Sequence, residues 1–214
     1  MTRVFLIVLL VGFVGIRASF RRIWASIPRQ GFHAPRERAL TSLAAATQLL
    51  PGPVWLLTGL LDFANIELPI WANGLGFAIG LGALGLLAWV HATLGANFSP
   101  RLELRAEHTL IQAGPYARVR HPMYTAGLLF VVGAGLASGN WMVGGLPLAA
   151  LLLLVALRLP DEEAMLAGRF GSNYADYRRR TGALFPRLSA AGDASEGRQG
   201  QPGSDAVADP SSKG

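Results

Sequence analysis

Five apolar tracts, separated by bands of arginine, constrain this chain more than any other feature. Val4 to Ile16, Leu40 to Leu61, Leu68 to Leu94, Tyr124 to Ala137 and Trp141 to Leu157 contain no Asp, Glu, Lys or Arg. A hydrocarbon core about 30 Å thick needs roughly 20 apolar helical residues and admits only backbones whose hydrogen bonds close internally. The pattern predicts an all-α integral membrane protein with five transmembrane helices, at about 2–20, 40–61, 68–94, 123–138 and 141–158, and a helical cytoplasmic C-terminal segment. Composition agrees, with 51% hydrophobic and 15% charged residues, where a soluble domain carries roughly 25% charge.

Each tract has its own signature. The first is short and reaches about Phe20 when Arg17 extends its head group toward water. A secretory signal is the competing reading. Arg17, Arg21 and Arg22 fall where small cleavage-site residues would be needed, which favours an uncleaved helix. Pro51-Gly52-Pro53 interrupts the second tract, which a helix bundle can accommodate as one kinked span. Gly76 and Gly80 in the third suit close helix contact. Only Ser138-Gly139-Asn140 separates the fourth from the fifth, predicting a tight helical hairpin.

The net charge of +6 could belong to a nucleic-acid binder, so the position of the 19 basic residues decides how to read it. They lie at Arg3, between Arg17 and Arg38, between Arg101 and Arg120, between Arg158 and Arg187, and at Arg198 and Lys213. The connection holding Asp62 and Glu67 has none. With the N-terminus outside and the C-terminus cytoplasmic, every basic residue except Arg3 falls on the inner side, as membrane topology favours. The predicted partner is thus the lipid bilayer, with no nucleic acid and no obligate protein partner. The absence of cysteine excludes disulfides, thiolate metal sites and a cysteine nucleophile, and His33, His91, His108 and His121 are too scattered for a metal motif. Residues 1–188 read as one membrane domain. Residues 189–214 have almost no apolar bulk and are predicted to be a disordered tail.

Polar residues collect in two inner stretches, 95–122 and 159–187, which could line one interfacial cavity. Gly114-Pro115-Tyr116 precedes Arg120-His121-Pro122-Met123-Tyr124, in which Pro122 suits the first turn of the fourth span. The free N–H groups there could receive an anionic ligand group, or the tyrosines and arginines could serve as interface anchors. In the second stretch, Arg158 and Glu162 share a face if a helix continues through Pro160. Alternatively the helix ends there, and Asp161-Glu162-Glu163 open a separate helix. Phe170, Tyr174 and Tyr177 fall on neighbouring turns, suggesting an amphipathic helix against the membrane or over the site, and Arg178, Arg179 and Arg180 suit anionic lipid. Composition and spacing specify no reaction.

Taken in order, these stretches resemble the isoprenylcysteine carboxyl methyltransferase family, particularly its small prokaryotic members, and are related to phospholipid methyltransferases. The resemblance rests on Leu94 to Ser99, His108-Thr109-Leu110, Gly114-Pro115-Tyr116, Arg120 to Tyr124, Glu162-Glu163, Phe170-Gly171 with Tyr174 and Tyr177, and Thr181-Gly182 to Phe185-Pro186. Phe98 stands where relatives commonly have tryptophan. The resemblance implies a multi-pass enzyme of the prokaryotic inner membrane that transfers a methyl group from S-adenosylmethionine to a lipophilic membrane acceptor, a carboxylate-bearing one in the isoprenylcysteine-like case, leaving S-adenosylhomocysteine. His108, Leu110, Ile111, Gly114, Pro115, Tyr116, His121 and Tyr124 would frame the cofactor, with Glu162 or Glu163 closing the pocket. Arg120 or Arg158 would orient an anionic acceptor. An amine acceptor would instead need a base, a role open to Glu162 or Glu163. N-methylation of phospholipids or amines is the alternative within the class; a membrane scaffold or a transporter are the alternatives outside it.

Overall fold

The apolar tracts fold into helices whose ends are set by proline, glycine and asparagine. The computed structural model describes residues 1–25, 35–95 and 109–187. Helix α1 spans Thr2–Ala25, α2 Pro35–Leu49, α3 Pro51–Leu57, α4 Ile70–Leu94, α5 Pro122–Ser138 and α6 Trp141–Arg180. Short 3₁₀ turns lie at Asp62–Ala64 and Gly114–Ala117. Strand-type pairing among the described residues is confined to two isolated bridges, Asn65 with Asn140 and Val119 with Gly182.

Thr2–Phe20, Ala39–Leu57, Ile70–Leu94 and Trp141–Arg180 are each long and apolar enough to cross a membrane, whereas Pro122–Ser138 is apolar but shorter, at 17 residues. The chain is an all-α, multi-pass membrane protein. The second span is the kinked helix expected from Pro51-Gly52-Pro53: α2 gives way to α3 at Leu50, which keeps right-handed helical angles, and Val54 N–H still donates to the Leu50 carbonyl at 3.1 Å. It stops at Leu57 instead of Leu61, because Thr58 turns extended and caps the Val54 carbonyl through its own hydroxyl at 2.6 Å.

The turn between α5 and α6 is as tight as its three residues predict. Gly139 adopts the left-handed conformation (φ 65°) that ends α5, and the Asn140 side chain caps α6 by accepting from the Met142 and Val143 amides at 3.0 and 3.1 Å. The same side chain donates to the Leu61 carbonyl and to Asn65 Oδ1, which also accepts from Trp55 Nε1 at 2.8 Å. The Arg3 guanidinium lies 5.8 Å from the Trp55 ring centre. One end of the bundle is thus tied by an asparagine network with Arg3 beside it. Arg118, Arg120 and Arg178–Arg180 lie at the other end.

Side-chain-free contacts bring the helices together. A methyl group on Gly76 would sit 2.4 Å from Leu136 Cβ and 2.5 Å from the Ala137 amide, and one on Gly133 would meet the Gly80 backbone at 2.6 Å. Gly135 and Gly144 make a similar approach between α5 and α6. In lipid no hydrophobic force separates helix from solvent, so dispersion contact of this kind supplies much of the association. Leu6 and Leu9 of α1, Leu84 of α4, Phe130 and Val131 of α5 and Leu154 of α6 fill the centre. The outer faces carry Val4, Val11, Trp71 and Leu152, all exposed, as a lipid-facing surface requires.

Candidate active site

Two segments distant in sequence close over the end of the bundle away from Arg3. Helix α6 resolves the alternative left open at Pro160 by continuing through it. Thirty residues from Trp141 to Phe170, about 45 Å at 1.5 Å per residue, outrun a hydrocarbon core of about 30 Å, and Glu162 and Glu163 follow the uncharged stretch Trp141–Leu157 in the same helix. Arg158 and Glu162 therefore share a face one turn apart. Gly171 interrupts the helix with φ 53° and ψ −126°, a conformation that only glycine adopts without strain. The final turns then bury Tyr174 and Tyr177 against the site.

The segment before α5 is held against these turns. Gly114, at φ 58°, opens the 3₁₀ turn against the end of α4, where an added methyl would meet Thr93 Oγ1 at 2.8 Å. The Tyr177 hydroxyl donates to the Tyr116 carbonyl at 2.7 Å. Beyond α6 the chain doubles back: Arg120 and His121 amides donate to the Gly182 and Ala183 carbonyls at 2.9 and 3.0 Å, and Thr125 Oγ1 donates to the Leu184 carbonyl at 2.6 Å. Thr181–Leu184 forms a strap fixing the N-terminus of α5. Gly182 permits it, since a methyl there would collide with the Phe185 carbonyl oxygen at 1.7 Å.

Between these walls lies a charged cluster. Arg120 Nε and Nη2 both lie 2.8 Å from Glu163 Oε1, and Nη1 donates to the Arg178 carbonyl at 3.3 Å and to the Thr181 carbonyl. His121 Nε2 lies 3.3 Å from the same Glu163 oxygen. A carboxylate can only accept, so in this contact Nε2 is the donor. His121 Nδ1 is 3.7 Å from Glu162 Oε1, and the Tyr124 hydroxyl donates to Glu162 Oε2 at 2.9 Å. Arg178 Nε approaches Glu163 Oε2 from outside at 3.5 Å.

The electrostatics follow from these partners. Burial alone would raise the Glu162 carboxyl, but the hydrogen bond and charge of His121, the Arg158 charge and the Tyr124 hydroxyl outweigh it and hold the group below the ordinary carboxylate range. Burial likewise opposes ionisation of Glu163, and Arg120 with His121 reverses the balance. Tyr174 and Tyr177 are pushed up to about 12, chiefly by burial and then by Glu163 and Tyr174 respectively. Tyr116 rises by burial, by the Glu162 charge and by Tyr177. The phenols stay neutral beside two ionised carboxylates.

Arg120, His121, Tyr124, Glu162 and Glu163 converge, with Arg158 near enough to act on Glu162. Tyr116 and Gly114 line the same end, while Pro115 is buried and Leu110 and Ile111 are half-buried in the preceding segment. His108 and Phe98 lie outside the described residues, as does the tail from 188. Sequence reading assigned no role to the Thr181–Leu184 strap or to the Tyr177–Tyr116 bond. The available signal was Thr181-Gly182 followed closely by Phe185-Pro186, a small-residue turn at a helix end.

The profile of the isoprenylcysteine carboxyl methyltransferase family matches residues 76–168. The cobalt-zinc-cadmium resistance protein CzcN of Cupriavidus metallidurans is 36% identical over 107 residues, covering 50% of this chain and 49% of that protein. The protein-S-isoprenylcysteine O-methyltransferase of Schizosaccharomyces pombe is 32% identical over 82 residues, covering 38% and 35%. The chain thus matches half or less of the length of these relatives. A solved structure of the eukaryotic intramembrane Ras methyltransferase, isoprenylcysteine carboxyl methyltransferase, shares the fold with a TM-score of 0.50 at 22% identity, over 73% of this chain and 54% of that one. The family profile thus covers 93 of the 214 residues, and the similar proteins come from both bacteria and eukaryotes.

Proposed function

We propose that the chain is an S-adenosylmethionine-dependent methyltransferase acting on a lipophilic acceptor that reaches the site from the membrane. The observation that carries this reading is the cluster of Arg120, His121, Tyr124, Glu162 and Glu163, built at the bundle end by the stretch that the family profile covers. The donor set fits the cofactor's chemistry. A sulfonium and an ammonium need an anionic partner that stays ionised, and Glu162 is held ionised with 28% of its side chain still exposed. The cofactor's own carboxylate needs a cation, and the Arg178 side chain is 63% exposed beside Glu163. Tyr116, His121 and Tyr124 would wall the site, joined by Leu110, Ile111, Gly114, Pro115 and, from the adjoining loop, His108.

Bound there, S-adenosylmethionine would supply an electrophilic methyl group. The chain's task is alignment and exclusion of water. Glu163, saturated by Arg120 and His121, acts as a positioning residue that fixes both. Glu162 is the carboxylate left to face a ligand. Arg158, one turn before it and nearer the apolar layer, is placed to orient an acidic head group arriving from lipid. A carboxylate acceptor is already a nucleophile, so this arrangement favours O-methylation of the isoprenylcysteine type. N-methylation would require Glu162 to take a proton, and the ion pairs that keep its pKa low make it a weak base. The positive-inside distribution puts this end in the cytoplasm with five spans, α5 being the short one.

The test is transfer of labelled methyl from S-adenosylmethionine to a native membrane extract by the purified protein. Label released as methanol on mild base treatment identifies an ester and supports O-methylation. Base-stable lipid label supports N-methylation. Absence of transfer by folded, cofactor-binding protein would sink the enzyme reading in favour of a membrane scaffold.

A further inference from the structure

Along the last turns of α6 lies a cavity that shares only Arg178 with the proposed cofactor site. Its volume is about 300 Å³, at the lower end for ligand pockets. Ala167, Gly171 and Ala175 form a floor of small residues and the Tyr174 ring one wall. Its rim consists of Arg178, Arg179 and Arg187. Arg187 is brought there by the strap: its Nη1 donates to the Arg179 carbonyl, which folds this segment back over α6.

Three guanidiniums face two carboxylates. Arg179 pairs with Asp176 in an exposed contact, with side chains 74% and 53% accessible, a geometry that contributes little and yields readily. Arg178 reaches Glu163 only at 3.5 Å. Arg187 is held by a backbone carbonyl and meets no carboxylate among the described residues. A guanidinium has five N–H donors, so these few contacts leave most of the donor capacity unspent on residues that line a concave space beside a helix with little side-chain bulk. Planar forks of this kind match tetrahedral oxyanions in particular.

We propose that this cavity is a binding site for a phosphate group. The same chemistry is offered by an anionic phospholipid head group and by soluble phosphate. The site goes beyond the methyltransferase reading and does not depend on it. It adjoins the charged cluster through Arg178, so an anion seated there competes with Glu163 for that guanidinium.

Native mass spectrometry and calorimetry on the detergent-solubilised protein test the proposal. Retention of one phosphatidylglycerol per chain, with phosphatidylcholine not retained, identifies a lipid source. Saturable one-to-one binding of inorganic phosphate identifies a soluble one. In either case the Arg179→Gln/Arg187→Gln double variant should bind at least tenfold more weakly, and Arg187→Lys, which keeps the charge but loses the fork, should fall between it and the wild type. Ala175→Leu, which fills the floor without altering charge, should also lose it, and decides alone if the double variant does not fold. Failure of the wild-type protein to bind either probe, or undiminished binding by Ala175→Leu, overturns the proposal.

Discussion

Glu163 is the residue on which the cluster's geometry depends. It accepts from both Arg120 and His121 with its side chain 15% exposed, and Arg120 is buried further still, at 9%. Replacing it by Gln leaves a buried guanidinium without its counter-charge, which costs about 3–5 kcal/mol. Thermal unfolding in detergent should register this as a clear fall in melting temperature, whereas Asp176→Asn, at an exposed pair, should change little. Despite burial, both cluster carboxyls are held below the ordinary range of an unfolded glutamate, Glu162 by His121, Arg158 and Tyr124 and Glu163 by Arg120 and His121. Their contribution is therefore fully present above about pH 5 and is lost as pH falls through their folded values. A melting temperature that declines on acidification in the wild type but is flatter in Glu162→Gln/Glu163→Gln is expected. The members of this cluster were legible as residue types worth noticing. Which glutamate does which task was not, because it depends on helix phase through Pro160, and a proline inside a bundle is compatible with either continuation or exit.

At the scale of elements, glycine placement determines how closely helices and strap approach. Gly76→Ala forces α4 away from the α5 backbone at Leu136 and Ala137, while Gly82 has open space around it. The first substitution should destabilise by about 1–3 kcal/mol and the second should be neutral or slightly stabilising through helix propensity; equal effects would contradict the packing described. Gly182→Ala should release the strap from the Arg120 and His121 amides and weaken cofactor binding without preventing membrane insertion. The second span's kink and the hairpin at Ser138-Gly139-Asn140 could be read directly because proline, glycine and asparagine act locally. The strap could not, since the Val119–Gly182 bridge joins residues far apart in the chain and carries no local pattern.

The whole molecule is a bundle with an asparagine-tied end near Arg3 and a charged end built from α5, α6 and the strap. The absence of cysteine makes the proposed orientation directly measurable. Single cysteines at exposed Glu67 and Asp161 should react with an impermeant thiol reagent from opposite faces, Glu67→Cys from outside the cell and Asp161→Cys only after the cytoplasmic face is opened. Labelling of both from the same face would contradict the topology. Arginine banding and apolar length made the bundle legible at this scale, because both follow from the bilayer as solvent. The site's chemistry needed the convergence of segments some forty residues apart, which Arg120 and Glu163 exemplify with a separation of 43. The most direct measurement of the central claim is calorimetric titration of S-adenosylhomocysteine into the detergent-solubilised wild-type protein and its His121→Ala and Tyr116→Ala variants. One-to-one binding in the micromolar range, weakened at least tenfold in both folded variants, is the predicted result. Absence of binding to folded wild-type protein, or equal affinity in all three, would contradict it.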